Sequence, residues 1–338
     1  MTIYTLIIRR IFFLLEPEKA HYVAMVLFKY SCKIPFVSTL ISYLYTPKHN
    51  DSFTFEGLNF KNKLGIGAGF DKNADFINEL ALLGFGHIEV GTVTPLPQPG
   101  NPRKRLFRLP KDKALINRMG FNNKGVEVMV QNLKKKQVTC IIGGNIGKNK
   151  NTPNDQAVND YLICFEKLFD YVDYFTVNVS SPNTPELRAL QDKAPLLNIL
   201  LQLQKSNQSK VNPKPIFIKI APDLSDELLA DIIDVVIISK INGIVATNTT
   251  LSRINLKTSD DLTQEAGGLS GKPLFEKSLA IIQKIYTINK NIKIIGVGGV
   301  STADDYNQLI NAGVSLVQIY TSFIYLGPNT AQIITNKN

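Results

Sequence analysis

From residue 53 onward the chain alternates between two patterns. Short apolar runs recur: LGIGAGF (64–70), HIEVGTV (87–93), TCIIGGNIG (139–147), YFTVNVSS (174–181), IFIKIAP (216–222), GIVATNT (243–249), KIIGVGG (293–299) and LVQIYTS (316–322). They are rich in β-branched residues and of the length of buried strands. Amphipathic stretches such as 187–203 and 225–239 separate most of them. Strand–helix alternation predicts right-handed βαβ units and a parallel sheet. Eight units over roughly 285 residues is the count of an α/β protein of the (β/α)8 TIM-barrel class. An open doubly wound sheet is the alternative and normally has fewer such strands.

The first 48 residues follow another pattern. MTIYTLIIRRIFFLL (1–15) is apolar but far shorter than the ~20 residues a membrane span needs. Glu16, Pro17, Glu18 and Lys19 follow it, without the small-residue cleavage site of a signal peptide. Ile7, Ile8, Ile11, Phe12, Leu14 and Leu15 crowd a short helix that also carries Arg9 and Arg10. The segment 18–33 holds Tyr22, Val23, Met25, Val26 and Phe28, and 35–45 is again largely apolar. Arg9, Arg10, Lys19, Lys29, Lys33 and Lys48 stand against Glu16 and Glu18 alone. Short basic amphipathic helices can lie on an anionic membrane surface; a helical cap on the main domain has the same make-up. The expected organisation is a small N-terminal helical domain, residues 1–45, and a catalytic barrel, residues 46–338.

Composition narrows the class. The chain has 338 residues, 44% hydrophobic and 20% charged, which is ordinary for a globular protein with a large core. A net charge of +10 suits nucleic acid, anionic lipid, an anionic substrate, or plain solubility. Lys134, Lys135 and Lys136 form a basic run without interleaved aromatics, as a solvated helix end does, and nucleic acid is not expected. Cys32, Cys140 and Cys164 form no CxxC pair, and His21, His49 and His87 are scattered. No metal site or disulfide framework is legible; buried thiols in a reducing compartment are expected.

Barrels carry their chemistry at the C-terminal ends of the strands. Here the runs end in GFDK, GTVTP, NIGKNK, NVSSPN, KIAPD, TNTT, GVGG and YTS. Turn chemistry accounts for the Gly, Pro and Asp. It does not account for Lys72, Lys219, Asn145, Asn178 and Asn248 inside or at the ends of apolar strands. GGLSGKP (267–273), GVGG (296–299) and Tyr320-Thr321 point to phosphate late in the barrel. The absence of GxGxxG after the first strand argues against a dinucleotide. Asn117, Asn145, Asn178, Asn183 and Asn248 both donate and accept, which suits a flat ring of alternating N–H and C=O groups. Lys72 and Arg118 offer charge to a carboxylate. Apart from Asp71 and Asp223, no acid or histidine stands at a strand end as an obvious base, so Ser181 is the leading proton acceptor. Two other functions fit less of this pattern. One is a phosphate-binding lyase or isomerase using Lys72 or Lys219 as a Schiff-base lysine; the other is a non-catalytic binding protein.

GAGFDK (67–72), GTVTPLPQPGNP (91–102), INRMGFNN (116–123), NIGKNK (145–150), NVSSPNTPELR (178–188), KIAPDL (219–224), ATNTT (246–250), GGLSGKPL (267–274), IIGVGG (294–299) and SLVQIY (315–320) run through the chain in order. In these motifs it resembles the dihydroorotate dehydrogenase family. EPEKAH (16–21) and serine at position 181 resemble the quinone-dependent class 2 branch. The resemblance implies an FMN flavoprotein of pyrimidine (UMP) biosynthesis. It would oxidise (S)-dihydroorotate to orotate and pass electrons to a membrane quinone. By motif, Ala68, Gly69, Phe70, Asp71, Lys72, Thr92, Asn145, Asn178, Lys219 and Thr247 are implied as FMN contacts. Gly271, Gly299, Tyr320 and Thr321 are implied at its phosphate end. Lys72, Asn117, Arg118, Met119, Gly120, Phe121, Asn178, Asn183, Asn248 and Thr249 are implied for dihydroorotate, and Ser181 as the catalytic base. His21 and Arg108 are implied for the quinone, at a tunnel framed by residues 1–45. Residues 180–192, with Pro182 and Pro185, would form a lid. The resemblance further implies a monomer, peripheral to the cytoplasmic face of the cell membrane.

Overall fold

The computed structural model describes residues 2–48, 51–258 and 261–336. His49 and the extreme residues of the two expected domains, Met1, Lys337 and Asn338, lie outside the described residues. Each of the eight apolar runs supplies one strand of a closed parallel barrel. The strands are β1 Leu64–Ile66, β2 His87–Val93, β3 Ile141–Ile146, β4 Tyr174–Asn178, β5 Ile216–Ile220, β6 Gly243–Ala246, β7 Lys293–Val297 and β8 Leu316–Ile319, joined in sequence order. The open-sheet alternative is thereby excluded. Most strands stop before the polar residues that end their runs, which turn over the barrel mouth.

Helices Val126–Leu133, Ala157–Leu168, Lys193–Gln208, Asp226–Ser239, Phe275–Ile288 and Ala303–Asn311 lie outside the barrel. Asp226–Ser239 shows the local logic. Ser225 accepts the Leu228 N–H at 3.2 Å, satisfying a donor the first turn leaves free. Leu229, Ile232, Ile233 and Val236 then recur at helical spacing and are buried.

The bottom of the barrel is closed by a hairpin of Phe53–Phe55 and Leu58–Phe60. Its aromatics pack with Tyr174, Phe217, Ile295 and Leu316 inside the barrel. His87 is fully buried there, and among the described residues neither ring nitrogen has a hydrogen-bond partner. Burial drives its pKa down to about 3, so the ring is neutral. A Cβ on Gly65 would fall 2.4 Å from this ring, so β1 carries glycine where the histidine needs room.

A three-stranded antiparallel sheet of Leu106–Leu109, Ala114–Asn117 and Gly268–Gly271 stands beside the mouth. The sequence reading does not contain it. Strands of four residues are too short for alternation to rise above chance, and the third comes from far along the chain.

Ahead of the barrel lie a π-helical turn Tyr4–Ile8 and three helices, α1 Arg9–Phe13, α2 Pro17–Ser31 and α3 Val37–Tyr45. Glu16 caps α2 by accepting the N–H groups of Glu18 and Lys19, with Pro17 at the first helical position. These helices dock on the segments that follow β1 and β8. Tyr4 donates its hydroxyl to the Ile324 carbonyl at 2.7 Å, Arg9 donates to the Tyr325 carbonyl at 2.9 Å, and Lys29 to the Asp75 carbonyl at 2.7 Å. Their outer side leaves Ile7, Ile11, Leu14, Leu27, Phe36, Leu40 and Tyr43 exposed, Leu14 at 87% and Phe36 at 86%. The segment is therefore both a cap and an apolar surface. Among the described residues, no helix is long and apolar enough to cross a membrane.

Candidate active site

The strand ends enclose a cavity of about 230 Å³. Its lining includes Ala68, Gly69 and Lys72 after β1, Thr92 of β2, Asn178, Ser181 and Asn183 of and after β4, and Lys219 of β5. Thr247, Asn248 and Thr249 follow β6, Gly298 and Gly299 follow β7, and Tyr320 and Thr321 follow β8. Asn117, Met119, Gly120 and Phe121 close the side towards the three-stranded sheet.

Strand register sets the floor. Asn178 pairs with Lys219 across β4 and β5, and Gly91 with Asn145 across β2 and β3. Asn145, fully buried just below the lining, accepts from Thr92 Oγ1 at 2.5 Å and from Asn178 Nδ2 at 3.3 Å. Asn178 Nδ2 also donates to Thr92 Oγ1 at 2.8 Å. Beneath them is Glu89, a residue the sequence reading passed over. Its carboxylate accepts from Asn145 Nδ2 at 2.8 Å, Tyr174 hydroxyl at 3.1 Å, Thr176 Oγ1 at 3.0 Å and Gln318 Nε2 at 2.8 Å. A buried carboxylate with this many donors is held in one orientation and fixes Asn145 in turn.

Lys219 donates no hydrogen bond among the described residues, yet only 6% of it is exposed. Burial lowers its pKa and the negative Glu89 opposes that shift. Its side chain lines the cavity. Among the described residues, Gln318 Oε1 is buried without a partner. Lys72, which donates to the Gly69 carbonyl at 2.7 Å, is the second lysine of the lining. Its pKa falls to about 8, mainly through burial; Glu18 raises it, Arg105 lowers it and Asp71 raises it.

The upper part is built of amides and hydroxyls. Asn183 Nδ2 donates to Asn117 Oδ1 at 3.1 Å, and Asn248 Nδ2 to Ser180 Oγ at 3.0 Å. Ser181 Oγ accepts the Asn183 N–H at 3.2 Å. The far end is made of glycine turns. Gly271, Gly298 and Gly299 have φ of +96°, +136° and +78°. A Cβ at Gly299 would lie 2.5 Å from the Phe275 nitrogen, so no larger residue fits. Ser270 and Thr321 hydroxyls lie 2.8 Å apart beside these turns.

Four residues expected at the site stand elsewhere. Arg118 turns its guanidinium to Glu265 at 2.5 Å and stacks on Phe107, because the sheet beside the mouth offers both a carboxylate and a ring face. Asp71 is spent on the turn after β1, accepting the N–H groups of Asp75 and Phe76 at 2.8 Å each. Phe70 faces a second cavity, and Asn145 is the support just described. Lysine or carboxamide inside an apolar run was the signal that found Lys219 and Asn178. The same signal in HIEVGTV and LVQIY marks Glu89 and Gln318.

The second cavity, about 360 Å³, is apolar. Ile8, Phe12, Ala20, Met25, Ile41, Tyr45, Phe70 and Phe323 are among its lining, and Tyr320 lines both cavities. Its polar groups include His21 and Arg108. His21 meets Phe70 edge-on at 4.8 Å, and burial, with Lys72 nearby, lowers its pKa to about 4 against the opposing pull of Glu18. Arg108 donates to the carbonyls of Phe13 and Leu15, at 3.3 and 2.8 Å, and lies over the Phe13 ring.

Residues 52–337 match the profile of a family described as "Dihydroorotate dehydrogenase". The chain is 54% identical to a "Dihydroorotate dehydrogenase (quinone)" of Christiangramia forsetii, over 99% of this chain and 98% of the relative. It is 47% identical to the protein of the same name from Shewanella sediminis, over 97% of each. Its fold resembles a crystal structure of DHODH from Eimeria tenella in complex with ferulenol. There the TM-score is 0.84 at 37% identity, over 94% of this chain and 89% of that one.

Proposed function

The chain belongs to the dihydroorotate dehydrogenase family, and from that membership we infer that it is the quinone-dependent, flavin-dependent oxidoreductase of pyrimidine biosynthesis. It oxidises dihydroorotate to orotate and delivers the electrons to a quinone. The observation that carries this is one cavity holding Lys72, Ser181 and the carboxamides of Asn117, Asn178, Asn183 and Asn248 together with Lys219, which donates no hydrogen bond among the described residues.

The flavin is FMN on this reading, and two features support it. Lys219 and the orphaned Gln318 oxygen leave the floor with polar capacity for a ring edge. The Gly271 and Gly298–Gly299 turns beside Ser270 and Thr321 suit a phosphate. Ala68, Gly69, Thr92, Thr247 and Tyr320 would hold it, and Phe70, Asp71 and Asn145 would support from behind. When bound, FMN supplies the redox chemistry by accepting a hydride and passing electrons on.

The protein's own groups do the rest. Lys72 draws in the substrate carboxylate. The four asparagines orient its ring by donating and accepting at alternate positions, backed by Thr249 and the Met119–Phe121 backbone. Ser181 Oγ takes the proton from the carbon next to the hydride-losing one as its own hydroxyl proton leaves along a hydrogen-bonded or water-mediated route. The Asn183 N–H that points at this oxygen stabilises the alkoxide character that arises as the hydroxyl proton leaves. Lys219 supplies positive charge to the cofactor. Residues 1–45, lying on the cytoplasmic face of the membrane, frame the apolar cavity as the quinone site, with His21 and Arg108 as its hydrogen-bond donors. Exposed Ile7, Ile11, Leu14 and Phe36 beside Arg10 and Lys33 support that placement. The protein acts as a monomer.

Purified protein should be yellow, and anaerobic mixing with dihydroorotate should bleach its visible band. Colourless protein, or a band unmoved by dihydroorotate, would overturn the reading; a borohydride-trapped adduct on Lys72 or Lys219 would replace it with Schiff-base chemistry.

A further inference from the structure

Three side chains outside the proposed reaction connect the N-terminal helices to the mouth of the barrel. Glu18 stands in the first turn of α2 and is 12% exposed; Arg105, just before strand 106–109, is 7% exposed. The Arg105 guanidinium takes both carboxylate oxygens, with Nε donating to Oε1 at 2.5 Å and Nη2 to Oε2 at 3.2 Å. Its Nη1 donates to the carbonyls of Pro99 at 2.6 Å and Asn101 at 2.8 Å. Asn101 then reaches the substrate side. Its Nδ2 donates to the carbonyls of Arg118 and Asn183, both at 3.0 Å, and its backbone N–H to the Met119 carbonyl at 3.0 Å.

There is no slack along this line. A Cβ at Gly120 would fall 2.8 Å from the Asn101 carboxamide, and one at Gly100 would fall 2.3 Å from the Met119 carbonyl oxygen. The Arg118 N–H donates to the Arg105 carbonyl at 2.9 Å, so the two loops are also stitched through their backbones. A bidentate, nearly dry Arg–carboxylate pair transmits position because its fork fits one geometry. Removing the carboxylate would leave the guanidinium buried with carbonyls alone. Arg103 also approaches Glu18, at 3.3 Å, but is 73% exposed and contributes little. Glu18 lies close enough to favour the charged form of Lys72, a second route from α2 to the substrate.

We propose that Glu18, Arg105 and Asn101 are positioning residues that couple the seating of α2 on the barrel to the loop carrying Ser181 and Asn183, so that docking of the N-terminal helices and binding of dihydroorotate favour one another. The proposal rests on the reading of Asn183 as a substrate ligand. Coupling of this kind is reciprocal: whatever factor α2 contributes to substrate affinity, substrate contributes to the seating of α2.

Two measurements on the flavin-loaded full chain test it. The first is orotate affinity, read from the perturbation of the flavin spectrum, together with flavin reduction by dihydroorotate without quinone. Glu18→Gln and Asn101→Ala should each raise the orotate Kd and the dihydroorotate KM about tenfold while the limiting reduction rate changes little. The double variant should be hardly worse than either single, since both cut one line. Glu18→Gln with parental orotate affinity, or single effects that multiply, would overturn the coupling. The second measurement needs no variant. Orotate should slow amide hydrogen exchange in Pro17–Ser31 of the parent protein, and exchange indifferent to orotate would also overturn it. Failure of the parent to bind orotate at all would instead strike the functional reading.

Discussion

Ser181 occupies a position where its environment decides what a hydroxyl can do. It is buried and receives the Asn183 N–H, with no acid or histidine bonded to it among the described residues. Ser181→Ala should slow flavin reduction by dihydroorotate by about 10² while leaving flavin content near normal. Stopped-flow absorbance checks it, and a parental rate would remove Ser181 from the reaction. Lys72 gives a pH dependence. Its pKa is lowered to about 8, chiefly by burial, so below pH 8 the ammonium is present to receive a carboxylate and above pH 8 it is lost. Orotate affinity should therefore be flat below about pH 8 and fall up to about tenfold per pH unit above it. Lys72→Met should bind weakly with no such slope in a spectral titration. At this scale the sequence was legible wherever a polar group interrupts an apolar run, as Lys219 and Asn178 do. The direction of the Arg118 side chain was not legible, because it answers to Glu265, a residue nearly 150 positions away that no local pattern reveals.

Among the elements, the segment after β4 is tied down by charge. Arg188 donates to the Ser180 carbonyl at 3.2 Å, the Thr249 carbonyl at 3.2 Å and Asp223 at 3.4 Å. Asp223, after β5, also receives Thr250 Oγ1 and Lys277 Nζ at 2.5 Å each and the Leu251 N–H at 3.0 Å. Burial works to raise its pKa, but Lys277, Thr250 and the Leu251 N–H outweigh it and hold the carboxyl below its usual range. Its stabilisation is present above the ordinary carboxylate pKa and is lost as pH falls through the depressed one. Asp223→Asn should cost about 1–3 kcal/mol in urea unfolding at neutral pH and lower kcat/KM for dihydroorotate, the stability difference shrinking at low pH. The eight strands were readable because each lies in an apolar run of seven to nine residues, and their helices because burial recurs at helical spacing. The sheet of Leu106–Leu109, Ala114–Asn117 and Gly268–Gly271 was not, since its pairing is set by tertiary contact between short loop segments.

For the whole molecule, the decisive arrangement is a polar cavity and an apolar cavity back to back. Deleting residues 1–45 removes Tyr4, Ile8, Phe12, His21, Met25 and Ile41 from the apolar one and leaves the lining of the polar one nearly intact. Quinone reduction should then fall at least about tenfold further than flavin reduction by dihydroorotate, with only the loss of substrate affinity that the Glu18 contact accounts for. Equal losses in the two half-reactions, measured separately with lipid vesicles as the quinone source, would refute the division of labour. Bared Phe70 and Phe323 should lower the solubility of such a truncated protein.

Tyr320 lines both cavities. On the functional reading, its ring stands at the seam between a water-soluble reactant and an oil-soluble one. The molecule is then a junction between phases: neither reactant leaves the medium that dissolves it, and only electrons make the crossing.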